Sequence, residues 1–145
     1  DYQLEGVYPV GRLDKDSEGL ILLTNDGRIT EPLLSPEANI AKTYEVEVDK
    51  PVNNYLLKHL AEGVEIEGYH TKPAQTEAKS KMTFFLTITE GKKHQIRRMC
   101  AALGFQVQSL KRLQIASIEL GGLKPNQYRK IIGSELKTLL HTLGI

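Results

Sequence analysis

Two segments in the middle of the chain show the clearest hydrophobic patterns. Residues 43–48 alternate strictly between polar and apolar side chains, and this period of two predicts a strand with one buried face. Residues 94–103 place apolar side chains at helical spacing, at Ile96, Met99, Cys100 and Leu103. Gly104 follows directly, and glycine commonly ends a helix in the left-handed conformation. We therefore predict a strand over 43–48 and a helix over 94–103.

Weaker patterns predict two further helices and several strands. One helix covers 53–60, with Asn53 or Asn54 as its N-cap and Gly63 just beyond its end, and a last helix runs from a Ser134 cap to Leu140. A buried strand is expected in the apolar run 20–24, which an Asn-Asp-Gly turn closes. Other strand-like stretches cover residues 64–66, 71–77, 82–89 and 106–120, the last broken midway.

These elements predict the fold class. Several strands with scattered helices, and no regular alternation between the two, indicate an α+β fold with a mainly antiparallel mixed sheet flanked by helices. The length of 145 residues suits one hydrophobic core, and no linker or internal repeat divides the chain. We expect a single domain over residues 1–145.

Composition narrows the class of protein. Hydrophobic residues make up 40% and charged residues 26%, which is ordinary for a soluble globular domain, and no apolar run is long enough to cross a bilayer. Cys100 is the only cysteine, so an internal disulfide and a cysteine-based zinc site are both excluded. The four histidines show no metal-ligand spacing. We expect a cytoplasmic protein with no metal site and no membrane contact.

The net charge of +1 does not by itself indicate a nucleic-acid partner, but the distribution of cations does. A basic cluster comprises Lys92, Lys93, His94, Arg97 and Arg98, followed by Lys111 and Arg112. Clustered cations on one surface are what phosphate binding requires. Judged by charge alone, a solvated helix face is the commoner explanation of such a cluster.

The densest group of reactive side chains lies in residues 11–20, immediately before the strand over 20–24. This loop holds one Arg, two Asp, one Glu and two Gly, so it could deliver a carboxylate to the edge of a sheet. A surface loop with local charge pairing is the plainer alternative. A calcium loop is disfavoured because the ligand spacing and terminal Glu of an EF-hand are missing.

Three ordered motifs identify a family resemblance. Val10-Gly11-Arg12-Leu13-Asp14 with Ser17-Glu18-Gly19-Leu20 resembles the signature of ribosomal RNA pseudouridine synthases, in the branch of the small-subunit synthase A and the large-subunit synthases B, E and F. Lys42-Thr43-Tyr44 is similar to the family's Lys-x-Tyr strand, and residues 90–99 are similar to its Gly-x-x-x-Gln-[Ile/Val]-[Arg/Lys]-Arg-Met helix start. Leu110-Lys111-Arg112 also fits. The resemblance covers nearly the whole chain and implies the pseudouridine synthase catalytic fold.

The resemblance also implies roles for individual residues. Asp14 is the catalytic carboxylate, with Asp16 as its rival in the same loop; Arg97 is the partner of Asp14; and Tyr44 stacks on the target base. Arg12 fills the gap left by the flipped nucleotide, and phosphate contacts are expected from Lys42, Lys92, Lys93, Arg98 and Arg112. The reaction involves no redox change and no group donor, so no cofactor is expected. The partner is ribosomal RNA or a pre-ribosomal particle, and the enzyme is expected to be a monomer.

Several alternatives stay open at this point. Tyr44 could be an ordinary core aromatic, since it shares a strand face with Val46 and Val48, and Arg97 could be a surface side chain. A non-catalytic RNA-binding or ribosome-assembly module on the same fold would keep the basic helix without needing Asp14. A hydrolase is a weaker alternative because no Ser-His-Asp arrangement is visible.

The motifs do not separate small-subunit RNA from large-subunit RNA as the substrate. They also do not separate a nucleophilic from a glycal route for Asp14. Family members carry an upstream catalytic segment and an S4-type RNA-binding domain, both expected to be missing from residues 1–145.

Overall fold

The structure, a computed structural model, describes residues 6–145. Its elements in chain order are β1 (Tyr8–Val10), β2 (Glu18–Gly19), β3 (Leu22–Thr24), α1 (Thr30–Leu34), a 3-10 turn (Pro36–Ala38), β4 (Lys42–Val48), α2 (Asn54–Glu62), β5 (Glu65–Ile66), β6 (Tyr69–His70), β7 (Gln75–Ala78), β8 (Thr83–Ile88), α3 (Gln95–Ala102), β9 (Val107–Ile115), β10 (Ile118–Glu119) and α4 (Gly133–Thr142).

A mixed sheet organises the fold. Its main path runs β10-β9-β4-β8-β7 with antiparallel neighbours throughout, and the short β2 pairs in parallel with β9. β1 and β3 form a separate antiparallel pair, and β5 and β6 form a small hairpin. The predicted α+β fold with a mainly antiparallel mixed sheet is confirmed.

Two apolar clusters stabilise this architecture. The larger one packs α2 and α3 against β4, β8 and β9, and Val46, Phe84, Leu86, Met99 and Cys100 are fully buried within it. The second cluster joins β3, α1 and α4 to the end of β9. β9 contributes residues to both clusters, Val107 and Leu110 to the larger and Ile115 to the second, so this strand connects them.

The strongest sequence patterns gave the right elements. β4 covers the predicted strand with Val46 and Val48 buried, and β9 and β10 show the predicted break. In α2, the Asn53 side chain accepts a hydrogen bond of 2.8 Å from the Leu56 backbone N–H, which confirms an N-cap at Asn53. Gly104 follows α3 with a φ of +87°.

Two local predictions were wrong. The run 20–24 is not a fully buried strand: β3 begins only at Leu22, and Ile21 and Leu23 are 36% and 41% exposed. β3 belongs to a two-stranded sheet, in which Leu22 faces the core and Leu23 does not. Ser134 lies inside α4 and does not cap it. The helix begins one residue earlier at Gly133, whose φ of +61° is a conformation that glycine adopts readily.

Candidate active site

A cleft of about 400 Å³ opens beside the start of β4, in the size range of small-ligand sites. Its walls come from the loop after β1, the first residues of β4, the loop after β6, the segment joining β8 to α3, and the second half of β9. Segments far apart in sequence therefore meet around one cavity.

The three residues predicted to be catalytic line this cleft together. Asp14 comes from the loop after β1, Tyr44 from β4 and Arg97 from α3, and the side chains of all three are partly exposed. The rival carboxylate, Asp16, is exposed and does not line the cleft. The geometry therefore favours Asp14 over Asp16 as the reactive group.

The loop that carries Asp14 is anchored to the sheet. The Ser17 backbone N–H donates to the Asp14 carbonyl at 2.9 Å, which closes a turn directly after Asp14. Farther along, the Leu20 N–H donates to the Arg112 carbonyl at 2.9 Å, and the Arg112 Nε donates back to the Leu20 carbonyl at 2.8 Å. These reciprocal bonds fix the end of the loop to β9 and limit how far Asp14 can move.

Arg97 contacts this loop, but at a different atom from the one expected. Its Nη2 donates to the backbone carbonyl of Asp16 at 2.6 Å, and within residues 6–145 no ion pair joins Arg97 to the Asp14 carboxylate. The predicted direct pairing with Asp14 is corrected on this point. The turn after Asp14 brings a loop carbonyl to the guanidinium, so Arg97 holds the backbone that carries the carboxylate.

Tyr44 stands between the core and the cleft. It is half-buried, packs against the larger apolar cluster and also lines the cavity. Its β4 position is flanked by Leu86 on β8 and Arg112 on β9. The ring therefore combines partial core packing with exposure to whatever occupies the cleft.

The predicted RNA contacts divide into two groups. Arg12, Lys42, Lys92 and Arg112 line the cleft, whereas Lys93 and Arg98 do not. Arg98 forms an ion pair of 3.2 Å with Glu67 on the β5–β6 turn. Arg112 is only 6% exposed and bonded to the backbone, so it lies deep in the wall and does not match a surface phosphate contact.

Lys42 and Arg112 give the lining of the cleft a positive character. Burial lowers the pKa of Lys42 from its usual value, and the neighbouring charge of Arg112 lowers it further. No ion pair within the described part of the chain compensates either cation. Two uncompensated cations beside a cavity favour a ligand with an anionic group there.

A polar cluster in the lining of the cleft was not predicted from the sequence. Tyr69, Lys72, Glu90 and Gln95 all line the cleft, and their polar groups meet at the Glu90 carboxylate. Burial raises the pKa of Glu90, but the hydrogen bonds from Tyr69, Lys72 and Gln95 outweigh it, so the pKa lies below its ordinary value. Glu90 and Gln95 stand inside the third motif, which was the available signal.

Residues 6–145 contain no candidate membrane-spanning helix and no cluster of metal-binding side chains. No helix in that range is both long and apolar enough to cross a membrane. No group of three or more His, Cys, Asp or Glu side chains there could hold a metal ion.

Comparison with known proteins assigns the family. Residues 2–102 match the family model described as RNA pseudouridylate synthase. The chain is 45% identical over 138 residues to an uncharacterized RNA pseudouridine synthase, YtzG, of Bacillus subtilis, covering 91% of this chain and 58% of that protein. It is 38% identical over 130 residues to the dual-specificity RNA pseudouridine synthase RluF of Escherichia coli, covering 90% and 45%.

A third relative and a solved structure agree. The ribosomal small subunit pseudouridine synthase A of Pasteurella multocida is 41% identical over 142 residues, covering 95% of this chain and 61% of that protein. A crystal structure of a pseudouridylate synthase superposes with a TM-score of 0.89 at 39% identity, covering 96% of this chain and 62% of that one.

This chain belongs to the RNA pseudouridine synthase family, in the branch of the small-subunit synthase A and of RluF, and the predicted family and catalytic fold are confirmed. It spans about half the length of the curated relatives it matches.

Proposed function

We propose that this protein isomerises specific uridines in ribosomal RNA to pseudouridine, with Asp14 as the catalytic carboxylate. The observation that carries the proposal is the meeting of Asp14, Tyr44 and Arg97, from three separate motifs, in one cleft. A non-catalytic RNA-binding or assembly module would have no need of a carboxylate that shares a cleft with Tyr44 and Arg97.

The reaction defines what the cleft has to do. The bond from N1 of uracil to C1′ of the ribose breaks, the base turns, and C5 then bonds to C1′ while its proton leaves and N1 gains one. Atoms and electrons balance within the nucleotide, so the proposed reaction needs no cofactor. Asp14 acts at C1′, either as nucleophile or by assisting glycal formation, and both routes require its carboxylate to be ionised.

The surrounding residues divide the remaining tasks. A base within RNA structure has to be flipped out to enter a pocket, and the Tyr44 ring at the wall offers it a stacking surface. Exposed Arg12, beside Asp14, is suited to occupy the vacated position. Lys42 and Lys92 provide cations for the RNA backbone at the cleft, and Lys93 and Arg98 lie farther from it. Arg112 is buried and bonded to the Leu20 carbonyl, so its charge acts from within the wall and not as a phosphate contact.

The proposed partner is ribosomal RNA or a pre-ribosomal particle in the bacterial cytoplasm, bound by a monomer. The test incubates the purified protein with unmodified transcripts of the small and the large ribosomal RNA, and maps pseudouridine by carbodiimide-dependent reverse-transcription stops. We expect new stops at one or a few uridines. RNA binding without any new stop would support the non-catalytic alternative and contradict the proposal.

A further inference from the structure

The lining of the cleft contains a buried carboxylate, Glu90, to which the proposed chemistry assigns no role. Glu90 is 7% exposed, and its two oxygens accept hydrogen bonds from the Tyr69 hydroxyl, from the Lys72 backbone N–H at 2.8 Å and from the Gln95 side-chain amide at 2.8 Å. A buried carboxylate with three donors ties together the segments that supply them. Here those segments are the β5–β6 hairpin, the chain after it and the start of α3.

Two separate routes lead from Glu90 to Lys92. Along the first, the Gln95 amide nitrogen donates to Glu90, while its oxygen accepts the Lys92 backbone N–H at 3.0 Å. Along the second, the Tyr69 hydroxyl donates to Glu90, and the Lys92 ammonium lies 4.6 Å from the centroid of the Tyr69 ring. Both the backbone and the side-chain charge of Lys92 therefore depend on groups that Glu90 orients.

The neighbouring lysine has no such support. Lys93 is exposed and lies outside the lining of the cleft, and no hydrogen bond or ion pair of its side chain is found in the described part of the chain. An unsupported lysine loses rotamer freedom when it binds a phosphate, whereas one already held in place loses less. Two adjacent lysines in one motif are thus presented differently.

We propose that Glu90 is a positioning residue for RNA binding, which acts through Gln95 and Tyr69 to hold the Lys92 ammonium at the cleft, ready to contact an RNA phosphate. The inference rests on the proposed function only in taking RNA as the ligand. The proposal predicts a change in RNA affinity that is opposite to the one expected from charge alone. Removing an acid should ordinarily strengthen RNA binding, yet removing Glu90 should weaken it.

The test is a double-mutant cycle on RNA affinity, measured across a salt series with the ribosomal RNA transcripts as the probe. We expect Glu90→Ala to weaken binding about fivefold, and to weaken it less than about twofold when Lys92 is already Gln, because coupled groups are not additive. Lys92→Gln should reduce the log-log salt slope by about 0.7 to 0.9, and Glu90→Ala should reduce it as well. In the Lys93→Gln background, Glu90→Ala should keep its full effect.

Controls separate positioning from general damage. Glu67→Ala removes an exposed acid from the same hairpin and should leave affinity unchanged or slightly improved. Circular dichroism checks folding; if Glu90→Ala does not fold, the same cycle with Tyr69→Phe decides, since that change removes only the hydroxyl. If Glu90→Ala weakens RNA binding by the same factor in the Lys92→Gln and the Lys93→Gln backgrounds, the proposal is overturned. Because binding needs no turnover, inactivity of the wild-type protein would contradict the proposed function without touching this result.

Discussion

Gly19 lies so close to Arg112 that a Cβ atom at Gly19 would stand 2.3 Å from the Arg112 carbonyl oxygen. The two residues are partners in the parallel pairing of β2 with β9, and Gly19 has a φ of +115°, which other residues rarely adopt. The end of the loop that carries Asp14 can therefore dock on the sheet only because position 19 has no side chain.

We expect Gly19→Ala to lower the free energy of unfolding by about 1 to 3 kcal/mol, because the backbone has to shift or adopt a strained conformation. Activity should fall as well, since the docking of the loop is disturbed. Gly122→Ala is the control, as nothing lies within 4 Å of its added Cβ, and it should change stability by less than about 0.5 kcal/mol. Urea unfolding of both variants is the measurement, and equal stability of the two would contradict the docking argument.

We expect the Lys42 side chain to lower the free energy of unfolding and to strengthen RNA binding. Burial and the charge of Arg112 lower its folded-state pKa below the usual 10.5, so the unfolded chain binds this proton more tightly than the folded protein does. At neutral pH the charged lysine therefore opposes folding, and the free energy of unfolding rises with pH between the folded and unfolded pKa values. Lys42→Met should accordingly stabilise the fold at pH 7 and weaken RNA binding.

Urea unfolding across pH checks this prediction, with exposed Lys81→Met as the control. The stability gained by Lys42→Met should shrink as pH approaches 10.5, the usual pKa of a lysine, whereas Lys81→Met should show no such dependence. A destabilised Lys42→Met protein with unchanged RNA affinity would show that the cation serves the fold and not the ligand.

Arg97 should act on the rate of the bound complex. Its bond to the Asp16 carbonyl holds the loop that carries Asp14, the proposed catalytic residue, and small displacements of catalytic groups are costly. We expect Arg97→Met to lower the single-turnover rate at saturating RNA by about tenfold or more, with a smaller effect on affinity, and Arg97→Lys to restore part of it. Arg98→Met removes a cation that does not line the cleft, together with its ion pair to exposed Glu67, and should leave the rate at saturating RNA nearly unchanged. If Arg97→Met binds RNA more weakly but keeps the wild-type rate at saturating RNA, Arg97 serves only as an RNA contact.

The sequence predicted those features that depend on local pattern. β4, α2 and α3 carry strong periodicity and clear end signals, and Asn53 caps its helix as expected. α1 was missed because it has only five residues and contains Pro32, so it lacks a readable period.

Contacts between residues far apart in the sequence could not be predicted from local pattern. Whether Arg97 meets the side chain or the backbone of the loop depends on how β2 docks on β9, a contact between residues about 90 positions apart. Glu90 stands inside the third motif, but its burial among donors from β6 and α3 depends on contacts that the motif does not encode.

The central claim is that Asp14 performs the chemistry, and Asp14→Asn tests it most directly, with Asp16→Asn as the matched control. The two carboxylates share a loop, but only Asp14 lines the cleft, and Asp16 contributes its backbone carbonyl, which an Asn keeps. Pseudouridine formation is measured on ribosomal RNA transcripts under single-turnover conditions, with folding and RNA affinity verified for both proteins. We predict that Asp14→Asn folds, binds RNA and forms no pseudouridine, whereas Asp16→Asn stays within about threefold of the wild-type rate, in keeping with the small effects of surface changes. Retained activity in Asp14→Asn, or equal losses in both variants, would contradict the account.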